Sequence, residues 1–444
     1  MKASTMRRLG AIAAAGTVAA LALSGCAPAG GGGGDADAAE YDPEADVTLT
    51  VTTFGTFGYE DLYKEYMELH PNVTIKAKNI DTGGNAKTDL VTKLGAGGKG
   101  VSDIVAIEEG WLGEIMNVSD MFTDLRDFGI EDRKGDWVDW KYETGTDAEG
   151  RVIGYGTDIG PTGLCYNKAA FEAAGFPTDR EEVAKKLEGD WEHYFEVGQE
   201  YVDASGGKAW FDHAGFVWNS IVNQQEEGYY TKDGELNIED NAELREKFDL
   251  LADAVEGGQS AAQEAWNWNE GKSFTDGTFA TFVCPGWMLG TIKGKLESAG
   301  ATPETSMWDF ADVFPGGAGN WGGAWLSIPE TSEKKAAAAA LADWLTQPEQ
   351  QVKQSAAAGN FPSTVKAQET LAADATPNEW FNDSPTGAIL ASRAEGVVAQ
   401  FKGPKDSEIQ EKVFGPALQV LDTGEGDADA AWDKALGLLM EIVK

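Results

Sequence analysis

The chain has 444 residues, of which 42% are hydrophobic, 74 are acidic and 35 are basic, so its formal net charge is −39. This length exceeds what one hydrophobic core usually organises, and we therefore expect two lobes. The strong negative charge repels nucleic acid and anionic membrane surfaces, which argues against both as ligands, whereas a neutral ligand is compatible with it.

The N-terminus carries the pattern of an exported lipoprotein. Basic residues open the chain, an apolar run follows that is too short to span a membrane, and Leu23-Ser24-Gly25-Cys26 comes next. This order resembles a bacterial lipobox, which implies removal of residues 1–25 as a signal peptide and a lipid on Cys26. The alternative is an ordinary signal peptide with a chance cysteine. Residues 26–45 are rich in glycine, alanine and aspartate, which predicts a flexible tether.

The first elements after the tether alternate between strand and helix. Val47–Phe54 alternates threonine with apolar residues, which predicts a strand. Helical and strand-like segments then alternate as far as residue 107. This order predicts right-handed crossovers and a mainly parallel sheet, with ligand at the carboxyl ends of its strands. The loops expected at that edge begin at Phe54, Asp81 and Glu108.

Two segments further along the chain are candidates for crossings between lobes. Gly156–Pro161 is a gap containing glycine and proline between two predicted strands, and Gly359–Ser363 interrupts a predicted helical region. Between these segments we predict several helices and then a strand that ends at Pro285. The remainder, after residue 364, is predicted to be helical with a break at Phe401–Asp406.

Residues 277–329 contain two tryptophan clusters flanked by glycine. In the first, a predicted strand ends at Pro285-Gly286 and presents Trp287 at its carboxyl edge. In the second, Gly316–Trp325 has five glycines and two tryptophans ahead of another strand. Glycine lets a sugar-sized ring approach the backbone beside an aromatic plate. The alternative for any single tryptophan is packing in the core or at its rim.

Two cysteines, Cys165 and Cys284, remain after the N-terminal region. Both lie in apolar, strand-like runs. In an exported protein such a pair can form a disulfide, but buried free thiols are also ordinary, and the sequence leaves both alternatives open.

Four stretches, taken in chain order, resemble the carbohydrate-binding proteins of bacterial ABC importers, of the maltose-binding type. They are GYGTDIGPTGLCYNKAAFEAAGFP, FATFVCPGW, GGAWLSIP and GNFPS. The resemblance covers about residues 46–444. It implies a two-lobed α/β fold of the type II periplasmic-binding-protein class, with a mainly parallel sheet flanked by helices in each lobe and a ligand cleft between the lobes. The implied N-terminal lobe is residues 46–157 plus about 305–357, and the implied C-terminal lobe is residues 158–304 plus about 358–444.

A sugar has apolar C–H faces and a girdle of hydroxyls, so its site needs aromatic plates and polar side chains at the rim. The resemblance implies that Trp287 is a stacking platform, that Trp321 lies near the hinge and that Asp158 lies on a crossing strand. The predicted substrate-binding residues are Phe54, Glu108, Trp111, Asp158, Trp218, Asn219, Trp266, Trp268, Trp287, Trp321, Trp325 and Trp380, with Asn267 and Asn269 as further hydroxyl partners. The alternative for each polar residue is a solvated loop or a helix cap.

The resemblance implies a monomeric substrate-binding subunit at the extracellular face of the cell membrane, anchored only by the lipid on Cys26. It would capture an oligosaccharide and deliver it to the permease of an ABC importer. Fifteen tryptophans favour an oligosaccharide over a monosaccharide. Residues 156–183 look most like cellobiose and β-oligosaccharide binders of actinobacteria, so cellobiose or another β-linked gluco-oligosaccharide is the best candidate. Xylo-oligosaccharides and α-glucosides are the alternatives.

The hypothesis from a different class is a secreted glycan-active enzyme. The sequence contains no G-x-S-x-G nucleophile motif and no phosphate-binding GxxxxGK[ST] motif, and its three histidines are too widely separated for a zinc-binding pattern. Paired carboxylates for glycoside hydrolysis are always available among 74 acidic residues, so their presence decides nothing. We expect no catalytic residue, no cofactor and no metal.

Overall fold

The computed structural model describes residues 44–374 and 376–443. The predicted signal peptide, Cys26 and nearly all of the predicted tether lie outside the described residues, so those predictions stay predictions. Within the described ranges, none of the helices combines the length and apolar character needed to cross a membrane.

The secondary structure follows the predicted alternation closely in its first third. The strands are β1 Val47–Phe54, β2 Val73–Ile80, β3 Ile104–Glu108, β4 Tyr155–Gly156, β5 Asp158–Ile159, β6 Thr162–Asn167, β7 Thr281–Pro285, β8 Trp308–Ala311, β9 Ala324–Ser327 and β10 Phe361–Pro362. The α-helices are α1 Glu60–Leu69, α2 Gly83–Gly95, α3 Leu112–Met116, α4 Asp139–Thr144, α5 Lys168–Ala173, α6 Arg180–Leu187, α7 Trp191–Ser205, α8 Ala214–Val222, α9 Ala242–Glu256, α10 Lys272–Thr275, α11 Gly286–Ser298, α12 Lys335–Leu345, α13 Pro348–Ala358, α14 Val365–Ala373, α15 Thr386–Ala394, α16 Asp406–Glu408, α17 Gly415–Asp422 and α18 Ala428–Ile442. A π-helical segment, Ile409–Phe414, joins α16 to α17.

The first sheet has the strand order β2-β1-β3-β9-β4. β1 pairs in parallel with β2 and with β3, as predicted, while β9 runs antiparallel to β3 and β4. Successive residues of β3 face opposite sides, so that Ile104 packs into one hydrophobic cluster and Val105 into another. Because β1 and β3 are parallel, their carboxyl ends, Phe54 and Glu108, lie at the same edge of the sheet.

The second sheet has the order β7-β6-β8 and is antiparallel throughout. The prediction of a mainly parallel sheet in each lobe is therefore wrong for this sheet. The physical reason is that the long segment between β6 and β7 contains helices and isolated β-bridges but no described strand, so it lacks the strand–helix–strand repeat that produces parallel neighbours. β8 pairs with β6, so residues 308–311 belong with this sheet and not with the N-terminal lobe to which we assigned them.

Cys165 on β6 and Cys284 on β7 form a disulfide, and both residues are fully buried. The structure thus contains the first of the two alternatives that the sequence left open. The bond joins two neighbouring strands whose cysteines are 119 positions apart in the chain.

The chain passes between the two sheets through neighbouring segments. β5 pairs with β10, and the backbone N–H of Trp321 donates to the carbonyl oxygen of Gly160 at 2.8 Å. A Cβ atom added to Gly160 would lie 1.8 Å from the carbonyl oxygen of Trp321, so this close approach requires glycine. Both predicted crossings, Gly156–Pro161 and Gly359–Ser363, take part in this bundle of segments, which we call the junction.

Candidate functional site

Three of the predicted tryptophans, Trp266, Trp287 and Trp321, come together in a group that we call the indole cluster. Trp266 and Trp287 are nearly parallel, with ring centroids 6.0 Å apart and an interplanar angle of 26°. Trp321 stands perpendicular to Trp287 at 5.4 Å, and the indole N–H of Trp287 donates to the carbonyl oxygen of Trp321 at 2.7 Å. Trp266 is 50% exposed, and the other two are partly buried. The cluster therefore offers aromatic surface to a ligand.

Phe216 on α8 lies beneath the indole cluster, with its ring 5.1 Å from that of Trp266 and 5.0 Å from that of Trp321. Trp268 is fully buried beside Phe216, and its indole N–H donates to Asp212 Oδ2 at 2.9 Å. Trp268 thus supports the cluster from inside, and its burial does not match the prediction that it is a stacking plate.

Asp212 is a buried carboxylate with no lysine or arginine partner among the described residues. Within residues 44–374 and 376–443 no side-chain or backbone group is hydrogen-bonded to its Oδ1 atom, and burial raises the pKa of Asp212 to about 7. The neighbouring His213 Nε2 is 3.6 Å from Asp212 Oδ2, but burial lowers the pKa of His213 to about 4. The imidazole is therefore neutral at neutral pH and supplies no compensating charge.

A second group of polar residues lies buried at the junction, and we call it the junction cluster. It consists of Glu109, Lys141, Asp158 and Asn320. The Asn320 amide donates to Glu109 Oε2 at 2.7 Å, and its own oxygen accepts from the N–H of Gly160 at 2.7 Å. Asn320 therefore ties the loop after β3 to a crossing segment. Burial raises the pKa of Glu109, while the charges of nearby cations oppose that shift.

Within the junction cluster, Lys141 and Asp158 are a buried pair of opposite charge. Asp158 Oδ1 accepts from the Thr157 hydroxyl and from the N–H of Ala324. Lys141 Nζ has no hydrogen-bond partner in the part of the chain that the structure describes, and it lies 3.2 Å from the ring centroid of Trp325. Burial lowers the pKa of Lys141 to about 8, although Asp158 and Glu109 favour its charged form. A cation–π contact and nearby carboxylates thus hold an ammonium group inside the protein.

Phe54 and Glu108 meet at the edge of the first sheet, where the sequence predicts them. A Cβ atom added to Gly83 would lie 3.8 Å from the Phe54 ring and 3.9 Å from Glu108 Cγ, so the two side chains flank the start of α2. Burial raises the pKa of Glu108 to about 7, and the charges of Lys402 and Glu411 also act on it. Glu108 therefore faces the C-terminal segment of the chain across this edge.

The remaining predicted tryptophans are buried and do not match the prediction of open plates. Trp218 packs against Phe248 and Phe414 and donates its indole N–H to the Tyr229 hydroxyl at 2.9 Å. Trp111 and Trp325 lie in the mainly aliphatic hydrophobic cluster of the first sheet, and Trp380 lies in the large hydrophobic cluster of the second sheet; each is at most 9% exposed. These buried residues are Trp111, Trp218, Trp325 and Trp380.

The asparagines that the sequence proposes as hydroxyl partners differ in their surroundings. Asn219 lies three residues after Phe216 on α8, so both share one face of the helix beside the indole cluster. Asn267 is engaged within its own loop, since its amide donates to Glu264 Oε2 at 2.8 Å and its oxygen accepts from the N–H of Glu270. Asn269 is exposed. Asn219 is therefore the best placed of the three for a ligand.

Sequence reasoning missed several members of these clusters. Phe216, Asp212 and Lys141 carry no local signal, because each stands in a helix or turn that reads as ordinary core or surface. Asn320 could have been found, since it stands inside the glycine- and tryptophan-rich stretch that drew attention to Trp321.

Comparison with known proteins identifies the family. Residues 61–385 match the family described as bacterial extracellular solute-binding protein. The chain belongs to this family. A crystal structure of an extracellular solute-binding protein family 1 member is 43% identical to this solute-binding protein, covers 90% of this chain and 100% of its own, and superimposes with a TM-score of 0.81. Members of the family are binding proteins rather than enzymes, and the family resemblance drawn from the sequence is confirmed.

Two further relatives have ligands in their names. A lactose-binding protein of Rhizobium radiobacter is 27% identical over 340 residues, which is 73% of each chain. The galacto-N-biose-/lacto-N-biose I-binding protein of an ABC transporter from Bifidobacterium longum, solved with lacto-N-biose, is 20% identical, covers 90% of this chain and 98% of its own, and has a TM-score of 0.70. The solved structures confirm the two-lobed type II fold of this solute-binding protein.

Proposed function

We propose that this solute-binding protein is the substrate-binding subunit of an ABC importer and that it captures an oligosaccharide. The observation that carries the proposal is the indole cluster, in which partly exposed rings from three separate segments meet beside the junction. Indole faces stack on the apolar C–H faces of sugar rings. Glu108 at the edge of the first sheet and Asn219 on α8 are the polar groups that we propose for the sugar hydroxyls.

The proposed substrate is a β-linked gluco-oligosaccharide, with cellobiose as the best candidate. The resemblance of residues 156–183 to cellobiose binders supports it. Lactose and lacto-N-biose, the ligands in the names of the two relatives, are β-linked disaccharides as well. Xylo-oligosaccharides and α-glucosides are the alternatives within the same class of receptor.

The junction supplies the proposed mechanism. Its neighbouring crossing segments are few and short, so the two lobes can rotate about them. A sugar that contacts both the indole cluster and the edge at Glu108 stabilises the closed form by its greater affinity for that form. The permease would recognise the closed form of a monomeric receptor, held at the extracellular face by the lipid on Cys26.

Tryptophan fluorescence of residues 46–444, titrated with cellobiose, cellotriose, maltose, xylobiose and glucose, tests the proposal. We expect a saturable change with the β-glucans and none with maltose, and we expect Trp287→Ala to abolish it. Trp344→Ala is the matched control, because Trp344 is also partly buried but packs against Tyr66 of α1, away from the indole cluster.

Each other outcome has a distinct meaning. A saturable change with xylobiose or maltose alone would support the receptor function but would identify that sugar, and not cellobiose, as the substrate. No change in fluorescence with any of a broad panel of oligosaccharides would contradict the proposed receptor function. Cleavage of a sugar during the titration would favour a glycan-active enzyme instead.

A further inference from the structure

The nearly parallel rings of Trp266 and Trp287 lie too close together for a sugar ring to fit between them. Its ring centroids are 6.0 Å apart. A sugar ring between two indoles makes a carbon contact of about 3.5–4 Å on each face, so the two planes must stand about 7–8 Å apart. The pair therefore has no room for a ring unless one indole moves outward.

The loop that carries Trp266 has an unusual backbone. Side-chain-bearing residues rarely adopt positive φ, and segments that do so persist only where their surroundings hold them, often at ligand clamps. The residues of this loop with positive φ are Ala262 at 47°, Trp266 at 68°, Trp268 at 48°, Asn269 at 54° and Glu270 at 57°. The loop is thus held away from its preferred conformation over most of its length.

Two anchors hold the loop to Asp212. The N–H of Gln263 donates to the Asp212 carbonyl oxygen at 3.0 Å, and the Trp268 indole donates to Asp212 Oδ2 at 2.9 Å. Between the anchors, Trp266 is 50% exposed. The hydrogen bonds of Asn267 and Glu264 are local: the Asn267 amide donates to Glu264, its oxygen accepts from the N–H of Glu270, and the backbone N–H groups of Asn267 and Trp268 donate to the Glu264 carbonyl oxygen. The short segment 264–267 can therefore shift while both anchors stay in place.

Trp287 differs from Trp266 in being fixed. It lies in the first turn of α11, and its indole N–H is held by the Trp321 carbonyl oxygen at 2.7 Å. Of the two parallel rings, one is thus attached to a helix and a hydrogen bond, and the other to a short exposed segment. Any separation of the pair has to come from Trp266.

We propose that Trp266 and Trp287 form a clamp that opens to admit one pyranose ring and then holds it from both faces. The inference rests on the proposed function, because it requires a sugar ligand. Segment 264–267 moves outward as the ring enters, Trp287 supplies the fixed plate, and Trp266 covers the second face. The clamp acts within one lobe and adds to the closure of the lobes.

A clamp of this kind selects the configuration of the ring. A glucose or xylose ring in its β-form has equatorial hydroxyls, so both of its faces present C–H groups. The axial hydroxyl at C4 of galactose points a polar oxygen at one indole, where it finds no partner. The clamp therefore favours gluco- and xylo-configured rings. It does not discriminate between linkages.

The test is a calorimetric titration with cellobiose and lactose, which differ only in configuration at C4 of one ring. We expect wild type to prefer cellobiose, which offers two rings that suit the clamp where lactose offers one. Trp266→Ala should weaken cellobiose binding about tenfold, because one aromatic face is lost, and should reduce the preference. Trp344→Ala should change neither value.

A spectroscopic readout on wild type needs only the conservative variant Trp266→Phe as its reference. Stacked indoles give an exciton couplet in circular dichroism. The contribution of the Trp266–Trp287 pair to this signal is the part that is lost in Trp266→Phe. Cellobiose should diminish that contribution in wild type. Unchanged or tighter cellobiose binding in Trp266→Ala, or a couplet that cellobiose leaves intact, would overturn the clamp and leave the receptor standing. Binding of no oligosaccharide by wild type would overturn the proposed function itself.

Discussion

Asp158 and Asp212 are both buried carboxylates, but only one of them has a cation nearby. Asp158 lies in the junction cluster with Lys141, whereas Asp212 lies beneath the indole cluster beside a neutral His213. Burial raises the pKa of both. From this difference we infer that removing a buried acid with a cationic partner destabilises the folded protein, whereas ionising a buried acid without such a partner destabilises it.

The largest expected effect comes from breaking the pair. Asp158→Ala leaves the Lys141 ammonium buried without the carboxylate that most favours its charged form, which should lower the free energy of unfolding by about 3–5 kcal/mol at pH 7. Urea denaturation measures this loss. Asp158→Ala combined with Lys141→Met is the control, because it removes both charges and should recover much of the stability.

The pH dependence sharpens the same prediction. The folded pKa of Lys141, about 8, lies below that of an exposed lysine, so between these values the unfolded chain binds more protons. Its contribution to stability therefore rises with pH above about 8. Because Asp158 favours the charged form of Lys141, its removal lowers the pKa of Lys141 further, and the ammonium of the variant loses its proton at a lower pH than that of wild type. The deficit of Asp158→Ala should therefore shrink as pH rises toward about 8 and stay constant above it. A deficit independent of pH would show that lost packing, and not the unpaired charge, explains it.

Asp212→Asn should have the next largest effect, with the opposite dependence on pH. Asp212 has a folded pKa of about 7, above its unfolded value, so its contribution to stability is complete at low pH and is lost as pH rises toward 7. The amide keeps an acceptor for the Trp268 indole but cannot ionise. The stability of the variant relative to wild type should therefore rise between pH 4 and pH 7 by on the order of 3 kcal/mol.

Denaturation of both proteins at each pH checks this prediction. The difference between them cancels the other acids that titrate in the same range, Glu108 among them. A constant difference across the range would mean that Asp212 ionises in the folded protein as readily as in the unfolded chain.

Trp325→Phe should have the smallest effect. The change removes the hydrogen bond from the indole to the Lys141 carbonyl oxygen and weakens the cation–π contact, which together should cost about 1–2 kcal/mol. Sugar affinity should not change, since Trp325 is 1% exposed. Thermal unfolding and a sugar titration of one sample measure both quantities. A change in affinity without a change in stability would move Trp325 into the binding site.

Local patterns predicted the parts of the molecule that local sequence determines. The alternation of threonine with apolar residues predicted β1, and the glycine and proline residues of 156–161 predicted a crossing. Glycine beside Trp287 and Trp321 predicted aromatic surface near a strand end, and these two residues do meet in the structure.

Features that depend on distant partners could not be predicted in this way. Trp218 and Trp268 share the sequence character of Trp266, yet Phe414 and Asp212, far away in the chain, bury them. The antiparallel second sheet pairs strands separated by several helices, and no local pattern records their direction. Lys141 reads as a solvated residue of a short helix, because the carboxylates that surround it come from other segments.

The disulfide between Cys165 and Cys284 turns the chain between them into a covalent ring. The segment 264–267, in which residues 264–266 are exposed, lies inside this ring. A protease that cuts there leaves the N-terminal and C-terminal fragments attached to each other through the two sulfur atoms. The nicked protein should therefore migrate as one band on a non-reducing gel and as two fragments after reduction.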